Sequence, residues 1–331
     1  MYLGVVLNPL ARRNRKDRGA RARRLTRLLG SWGEVHETPS IDALGATLER
    51  LLPRTTHLVS DGGDGALHWL INTVRALRPD PADWPTFVPT NGGTIDFVAR
   101  KVGVRGRSES IVRALTACAM KGAPPPEVTL DSLHLQGAFD DGQPFDRVGF
   151  ALAAGGVGNR FFDKYYADPE PSPATIAKVI GRTVSEFTAA RLVPGLVANG
   201  SYAAHLFRPT IATVTIDGET LASTRHGGLH AGAYDINLGG VVRVFPLARE
   251  PGVLHFQAGE IDPAAIIRNL PAIVSGGAIE GPKLRDTSGR EMIVEALDEP
   301  LSPIVDGERF ERLRRLEVRA GPPIRIARVR A

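Results

Sequence analysis

His57-Leu58-Val59-Ser60-Asp61-Gly62-Gly63-Asp64-Gly65-Ala66-Leu67 is an apolar run that breaks into three glycines around one acid and resumes with helical spacing. A strand, a glycine turn and a helix in that order make a seat for phosphate. Glycine lets the backbone approach an anion closely, and a helix start offers free N–H groups and a positive dipole end. Asp64, inside the turn, repels phosphate, so its natural partner is a divalent cation carried by a nucleotide. The same letters also fit a plain strand-turn-helix connection in which Asp64 is a turn residue, and short glycine motifs recur by chance.

Around this stretch, residues 2–7, 33–37 and 86–89 read as strands and residues 18–32, 41–52 and 67–77 as helices, with Leu25, Leu28 and Leu29 on one helix face and Ser40 as an N-cap. Strands alternating with helices over about 125 residues predict a doubly wound parallel sheet, with ligands at the carboxyl ends of its strands. The proline cluster at residues 122–126 marks a domain boundary. Beyond it, residues 127–135, 147–153, 211–216, 233–238, 241–245, 254–258, 290–296 and 316–319 read as short strands, several of them alternating apolar and polar. Residues 173–190 and 261–275 read as helices. The expected fold class is therefore α/β plus all-β: a nucleotide-binding α/β domain over residues 1–125 and an antiparallel β-sandwich over residues 126–331. Its tail, residues 320–331, is expected to pack back onto the first domain, with the active site in the cleft between the two.

A chain of 331 residues with 43% hydrophobic composition buries a substantial core. The apolar run at residues 2–7 is too short for a signal peptide, and no stretch approaches the about 20 apolar residues that span a bilayer, so a cytoplasmic location is expected. The single cysteine, Cys118, reads as part of a buried helix face, and the histidines His57, His205, His226 and His230 lack metal-ligand spacing. A net charge of +5 and a pI near 9.6 suit a protein that meets anions. Arg12, Arg13, Arg15, Lys16, Arg18, Arg21, Arg23, Arg24 and Arg27 concentrate that charge. They fit a solvated helix face, neutralisation of nucleotide phosphate, or transient contact with an anionic membrane surface. Aromatic residues are 6% of the chain and none interleave with this run, which argues against nucleic acid.

Three further segments repeat or complete the theme. Residues 87–100 hold a second apolar run, a Gly92-Gly93-Thr94 turn and then Asp96-Phe97-Val98-Ala99-Arg100; Asn8-Pro9 ends the first strand, and Asp306-Gly307-Glu308 lies far downstream. Taken in order, these segments resemble the catalytic domain of diacylglycerol kinases, sphingosine and ceramide kinases and bacterial lipid kinases, with NAD kinases more distant. The resemblance covers nearly the whole chain. It implies ATP and Mg2+ as cofactors, with Asn8, Thr38, Gly62, Gly63, Asp64, Gly65, Ala66, Gly93 and Thr94 around the nucleotide and Asp64 on the metal. It also implies Glu308 as general base toward a lipid hydroxyl, a task that partial burial of a carboxylate favours, with Asp64 the second catalytic acid. Residues 149–159 would line the acceptor pocket, a role that a plain glycine-rich turn could equally replace, and Phe161, Phe162, Tyr165 and Tyr166 either touch an acyl chain or pack in the core.

Departures from the family pattern are specific. Ala66 stands where Thr is usual, Asp96 where Asn is usual, Ala11-Arg12 where a small Ser-Gly pair is common, and Pro251 where relatives hold a structural magnesium through an acid. Asp217-Gly218-Glu219 repeats the downstream triplet between alternating strands and reads as a hairpin turn. The expected activity is an ATP-dependent lipid kinase, peripheral at the membrane. The alternatives are a kinase for a soluble acceptor and a catalytically silent nucleotide- or lipid-binding protein. A homodimer is left open.

Overall fold

The computed structural model describes residues 1–11, 14, 17, 19–192, 201–281 and 283–330. They form two compact units, Met1–Leu130 with Pro322–Ala331, and Asp131–Gly321. In the first, β1 (Leu3–Leu7), α1 (Ala20–Leu29), β2 (Gly33–Glu37), α2 (Asp42–Leu51), β3 (His57–Asp61), α3 (Asp64–Leu77) and β4 (Thr86–Pro89) alternate strand with helix. Then come α4 (Phe97–Lys101), α5 (Ser108–Met120) and β5 (Glu127–Leu130), and a late strand, β21 (Ile324–Ala327), completes the sheet order β2-β1-β3-β4-β21-β5. All neighbours run parallel except β5 against β21. Every residue of β1, β3 and β4 is buried, as befits strands covered by helices on both faces.

The second unit is built from antiparallel strands. One sheet joins β6 (Leu133–Phe139), β7 (Pro144–Gly149), β9 (Thr210–Ile216), β10 (Glu219–Thr220), β17 (Glu291–Ala296) and β20 (Leu313–Ala320) in the order β10-β9-β17-β20-β6-β7, with β11 (Arg225–His226) added beside β9. Its buried face carries Val214, Ile216, Met292, Val294, Leu316 and Val318. Alternate positions carry Glu291, Glu295, Arg315 and Arg319, paired with one another in water. The other sheet joins β8 (Ala151–Gly155), β12 (Gly228–Gly232), β15 (Leu254–Glu260), β16 (Lys283–Gly289), β18 (Ile304–Val305) and β19 (Glu308–Arg309) in the order β16-β15-β12-β8-β18-β19. A ribbon of β13 (Ile236–Leu238) and β14 (Val242–Val244) stands apart, and α6 (Gly156–Tyr166), α7 (Pro173–Leu192), α8 (Tyr202–Leu206), α9 (Pro263–Arg268) and α10 (Leu270–Ser275) complete the unit. The α/β plus antiparallel-β fold class read from the sequence is the one observed.

Several local expectations are corrected. The helix after the first glycine loop begins at Asp64 rather than residue 67, so Gly65 and Ala66 belong to its first turn. The strand expected over 127–135 divides into β5 and β6, which belong to different sheets. The expected strand over 147–153 breaks at Phe150, and the helix over 261–275 splits around Asn269, with Pro271 placed in the first turn of the second piece. Gly156–Gly158 open α6 instead of forming a loop. Cys118 is half-buried.

Candidate nucleotide and acceptor sites

The carboxyl edge of the parallel sheet gathers the predicted nucleotide residues. Asn8 follows β1, Thr38 follows β2, Gly62 follows β3 and Gly93 lies in the loop after β4. The loops are tied together by backbone: the Asn8 N–H donates to the Asp61 carbonyl at 3.1 Å, the Thr38 N–H to Leu7 at 3.0 Å and the Gly92 N–H to Gly62 at 3.1 Å. The two glycine loops meet so closely that a Cβ on Gly93 would lie 2.5 Å from the Gly63 Cα, and one on Gly92 would lie 2.8 Å from the Gly62 oxygen. Glycine is needed here for close approach, because none of these four residues has positive φ.

Asp64 opens α3, and no side chain caps that helix, so its first turn offers N–H groups to an anion. Its carboxylate faces the second loop, accepting the Phe97 N–H at 3.0 Å and the Val98 N–H at 3.2 Å, and so caps α4. Among the described residues no group of three or more His, Cys, Asp or Glu could hold a metal. A magnesium here would accordingly be held by Asp64 and by oxygens of the nucleotide and water. Asp96, the departure in the second loop, adopts the left-handed region at φ 52° and accepts the Gly93 N–H at 2.9 Å. Short polar residues tolerate that conformation, so the acid shapes the turn. Thr94 is half-buried in the same turn.

Sequence reading missed what lies beneath the loops. Asp61 is 1% exposed, and its carboxylate takes the Arg21 guanidinium at 2.6 and 2.9 Å, the Ser108 hydroxyl at 2.6 Å and the Thr90 hydroxyl at 3.0 Å. Its carbonyl accepts the Asn14 amide at 3.0 Å. One buried acid thus ties α1, β3, the end of β4 and α5 together directly before Gly62. The available signal was Arg21 standing in line with Leu25 and Leu29, a charge in an apolar stripe. Arg21 therefore does not belong to a solvated basic face. Arg24 pairs with Asp17 and, at 3.1 Å, with Glu109, and the Arg24 bond holds the Asp17 carboxyl below its ordinary value. Arg23 and Arg27 are exposed, while Arg12, Arg13, Arg15, Lys16 and Arg18 lie outside the described residues.

In the second unit, Asp306-Gly307-Glu308 is a two-residue hairpin turn, with φ 51° at Asp306 and 93° at Gly307 between paired Val305 and Glu308. Such positive-φ turns match the twist of paired strands. The Asp306 carboxylate accepts the N–H groups of Phe150 and Ala151, each at 2.9 Å, which pins the hairpin to β8. From the other side Tyr166 donates to the Gly307 carbonyl at 3.1 Å and Asp163 meets Arg309. Glu308 is half-buried on this held turn. The strand read over 316–319 does not continue this hairpin: it is β20, in the other antiparallel sheet. Phe161, Phe162, Tyr165 and Tyr166 stack on one another along α6, and only Tyr166 is strongly exposed.

A buried polar chain runs behind α6. The Gly158 N–H donates to His230 Nε2 at 3.2 Å, His230 Nδ1 faces Gln257 at 3.3 Å, Gln257 donates to Asp286 at 3.0 Å, and His255 meets the same oxygen at 2.6 Å. Burial pushes the His230 pKa down to about 4. Burial also raises Asp286, but the His255 bond and the Ile279 N–H outweigh it and leave that carboxyl lowered.

No protein-family model matches the chain, and no curated protein matches its sequence. Solved structures do share its fold. A Bacillus anthracis protein provisionally assigned as a diacylglycerol kinase superimposes with TM-score 0.67 at 13% identity over 99% of this chain and 97% of that one. A Bacillus anthracis diacylglycerol kinase gives TM-score 0.61 at 12% identity over 99% and 97%. Yeast NADH kinase, solved with NADH, gives 0.53 at 12% identity over 100% and 84%. The chain therefore has the fold common to these diacylglycerol kinase and NADH kinase structures.

Proposed function

We propose that this protein is an ATP-dependent lipid kinase, moving a γ-phosphoryl group to a lipid hydroxyl. The observation that carries the reading is the meeting of two glycine loops, backbone against backbone, at the carboxyl edge of a parallel sheet, over an uncapped helix start. Phosphoryl transfer is mostly positioning and charge stabilisation. Gly62, Gly63 and Gly65, with Gly93 and Thr94 opposite, would hold the phosphates, and Asn8 and Thr38 the rest of the nucleotide. Magnesium, when bound, neutralises charge on the phosphates, and Asp64 is the side chain that would orient it. Glu308 would take the acceptor's proton, and Asp306 keeps its turn fixed against β8. Among the described residues no helix is long and apolar enough to cross a membrane, so the enzyme would reach its lipid from the bilayer surface, with Arg23 and Arg27 among its exposed cations.

The test is transfer of radiolabelled phosphate from ATP to a lipid panel in detergent micelles with magnesium, run beside Asp64→Asn and Glu308→Gln. Labelled lipid that is lost in both variants supports the reading. Labelling of NADH or NAD instead would favour a soluble acceptor, the reading to which the NADH kinase likeness points. Nucleotide binding with no labelled product would leave a silent binding protein, the outcome to which Ala66, Asp96 and Pro251 point.

A further inference from the structure

Within the second unit lies a cavity of about 380 Å³ that neither the loops nor Glu308 account for. Four arginines line it, Arg160 on α6, Arg208 after α8, Arg225 on β11 and Arg309 on β19. Two are neutralised: Arg309 pairs with Asp163, and Arg208 with Glu299 at 2.9 Å. Arg160 is not. Its guanidinium is held by main-chain carbonyls, donating to Arg208 at 2.7 Å and to Pro209 at 3.4 Å, and no carboxylate lies within ion-pair distance of it among the described residues. Carbonyls fix a guanidinium without cancelling its charge, and of its five N–H donors two are used. Burial, and then the neighbouring Arg208, lower its pKa, an effect that Asp163 and Glu299 only partly offset. Arginine nevertheless stays charged at neutral pH. Arg225 likewise has no ion pair among the described residues, and the remaining acid of the wall, Asp298, leaves the lining one positive charge in excess.

We propose that this cavity is a binding site for a phosphate group, with Arg160 as the receiving cation and Arg225 at its mouth. The pre-set, half-buried guanidinium is suited to such a group, because planar N–H pairs match phosphate oxygens. The volume exceeds a water molecule's roughly 30 Å³ share many times, so it admits the phosphate with part of the molecule that bears it. Successive residues of a strand point to opposite faces. Arg309 lines the cavity, so the site lies on the opposite face of the β18–β19 hairpin from Glu308 and is separate from the proposed acceptor site. It stands on the second unit's geometry alone and does not depend on the kinase reading.

The experiment is isothermal titration of the full chain with inorganic phosphate and with glycerol 3-phosphate. Alongside it, binding to phosphatidylglycerol vesicles is compared with binding to neutral phosphatidylcholine vesicles. Wild-type, Arg160→Gln and Arg225→Gln proteins are compared throughout. Loss of one charge-assisted partner should weaken phosphate binding about tenfold in Arg160→Gln and less in Arg225→Gln, whose exposed side chain leaves folding untouched and keeps the test valid if the first variant misfolds. Phosphate held on the glycine loops would survive both changes, so unaltered affinity in both variants overturns the proposal, as does absence of binding by the wild type to any probe. Arginine-dependent binding of the soluble phosphates identifies a free metabolite, and arginine-dependent binding of the phosphatidylglycerol vesicles alone identifies a lipid headgroup.

Discussion

Asp217-Gly218-Glu219 and Asp306-Gly307-Glu308 carry the same letters and the same backbone. Each joins two antiparallel strands through two positive-φ residues, 48° and 84° in the first and 51° and 93° in the second. Even the acid's task is shared, since Asp217 accepts the N–H groups of Arg290 and Glu291 at 2.9 and 2.8 Å as Asp306 accepts those of Phe150 and Ala151. The surroundings differ. Asp217 and Glu219 are exposed, and Glu219 meets Arg285 at 2.9 Å in water. Asp306 is 4% exposed, and its turn is gripped by β8 on one side and α6 on the other. One motif is thus a turn at a sheet's edge, while the other holds a half-buried carboxylate at a fixed place. What separates them is burial by distant chain, and three letters do not encode that.

The largest effect expected from the contrast is on turnover. Glu308→Gln should lower phosphate transfer by about 10²–10⁴-fold, the usual contribution of a positioned general base, while Glu219→Gln leaves it unchanged. Equal activity in both variants, in labelled-ATP assays on folded protein, would reduce the second triplet to a turn as well. Stability should separate the two aspartates next. Asp306→Ala leaves one buried and one half-buried N–H group without the acid that holds them and should cost about 3 kcal/mol, whereas water replaces the acid in Asp217→Ala, for a cost of about 1 kcal/mol. Urea unfolding of the two variants measures the difference.

The same distinction between local and distant chain explains how far the sequence could be read. The glycine loops were legible because the backbone chemistry of Gly62, Gly63, Gly92 and Gly93 is written in the residues themselves. Alternation of strand and helix was legible for the same reason, as was the exposed turn at Asp217. The Asp61–Arg21 pair was not, because its partners lie 40 residues apart and meet only when α1 packs on the sheet. Nor was the start of α3, since Gly65 in a first turn reads as loop until tertiary packing holds it in helix. The break at Asp131-Ser132 was hidden because β5 and β6 are both strand-like and differ only in the sheet that receives them.

Acid should sharpen the contrast between the sheets that carry the two turns. His230 pairs across from Ala153, the residue that also pairs with Ile304 before the buried turn. Its folded pKa of about 4 lies below the ordinary 6.5. The unfolded chain therefore takes up the proton first, and stability is full above about pH 6.5 and falls as pH drops toward 4. At pH 5 the loss is about 2 kcal/mol. His226 on β11 is also lowered by burial, but it joins β9 in the sheet of the Asp217 turn and so works against the contrast, and the lowered Asp286 contributes only below the ordinary carboxylate range. Hydrogen exchange at the Phe150 and Ala151 amides should quicken between pH 7 and pH 5 more than at Arg290 and Glu291, after correction for intrinsic rates. His230→Gln, which keeps hydrogen bonding without titrating, should flatten that response; an unchanged response would place the acid sensitivity elsewhere.

The smallest effect isolates the turn backbone itself. Gly218 and Gly307 both have positive φ, so alanine at either should cost about 1 kcal/mol from conformation alone. A Cβ at Gly218 meets nothing within 4 Å, while one at Gly307 would stand 3.0 Å from the Tyr166 hydroxyl. Gly307→Ala should therefore cost a few tenths of a kcal/mol more than Gly218→Ala, because Tyr166 must yield and its bond to the Gly307 carbonyl weakens. Tyr166→Phe removes the crowding atom, so in a double-mutant cycle the excess at Gly307 should vanish while the cost at Gly218 stays the same. An excess that survives Tyr166→Phe would mean that the two turns differ in backbone strain as well as in surroundings.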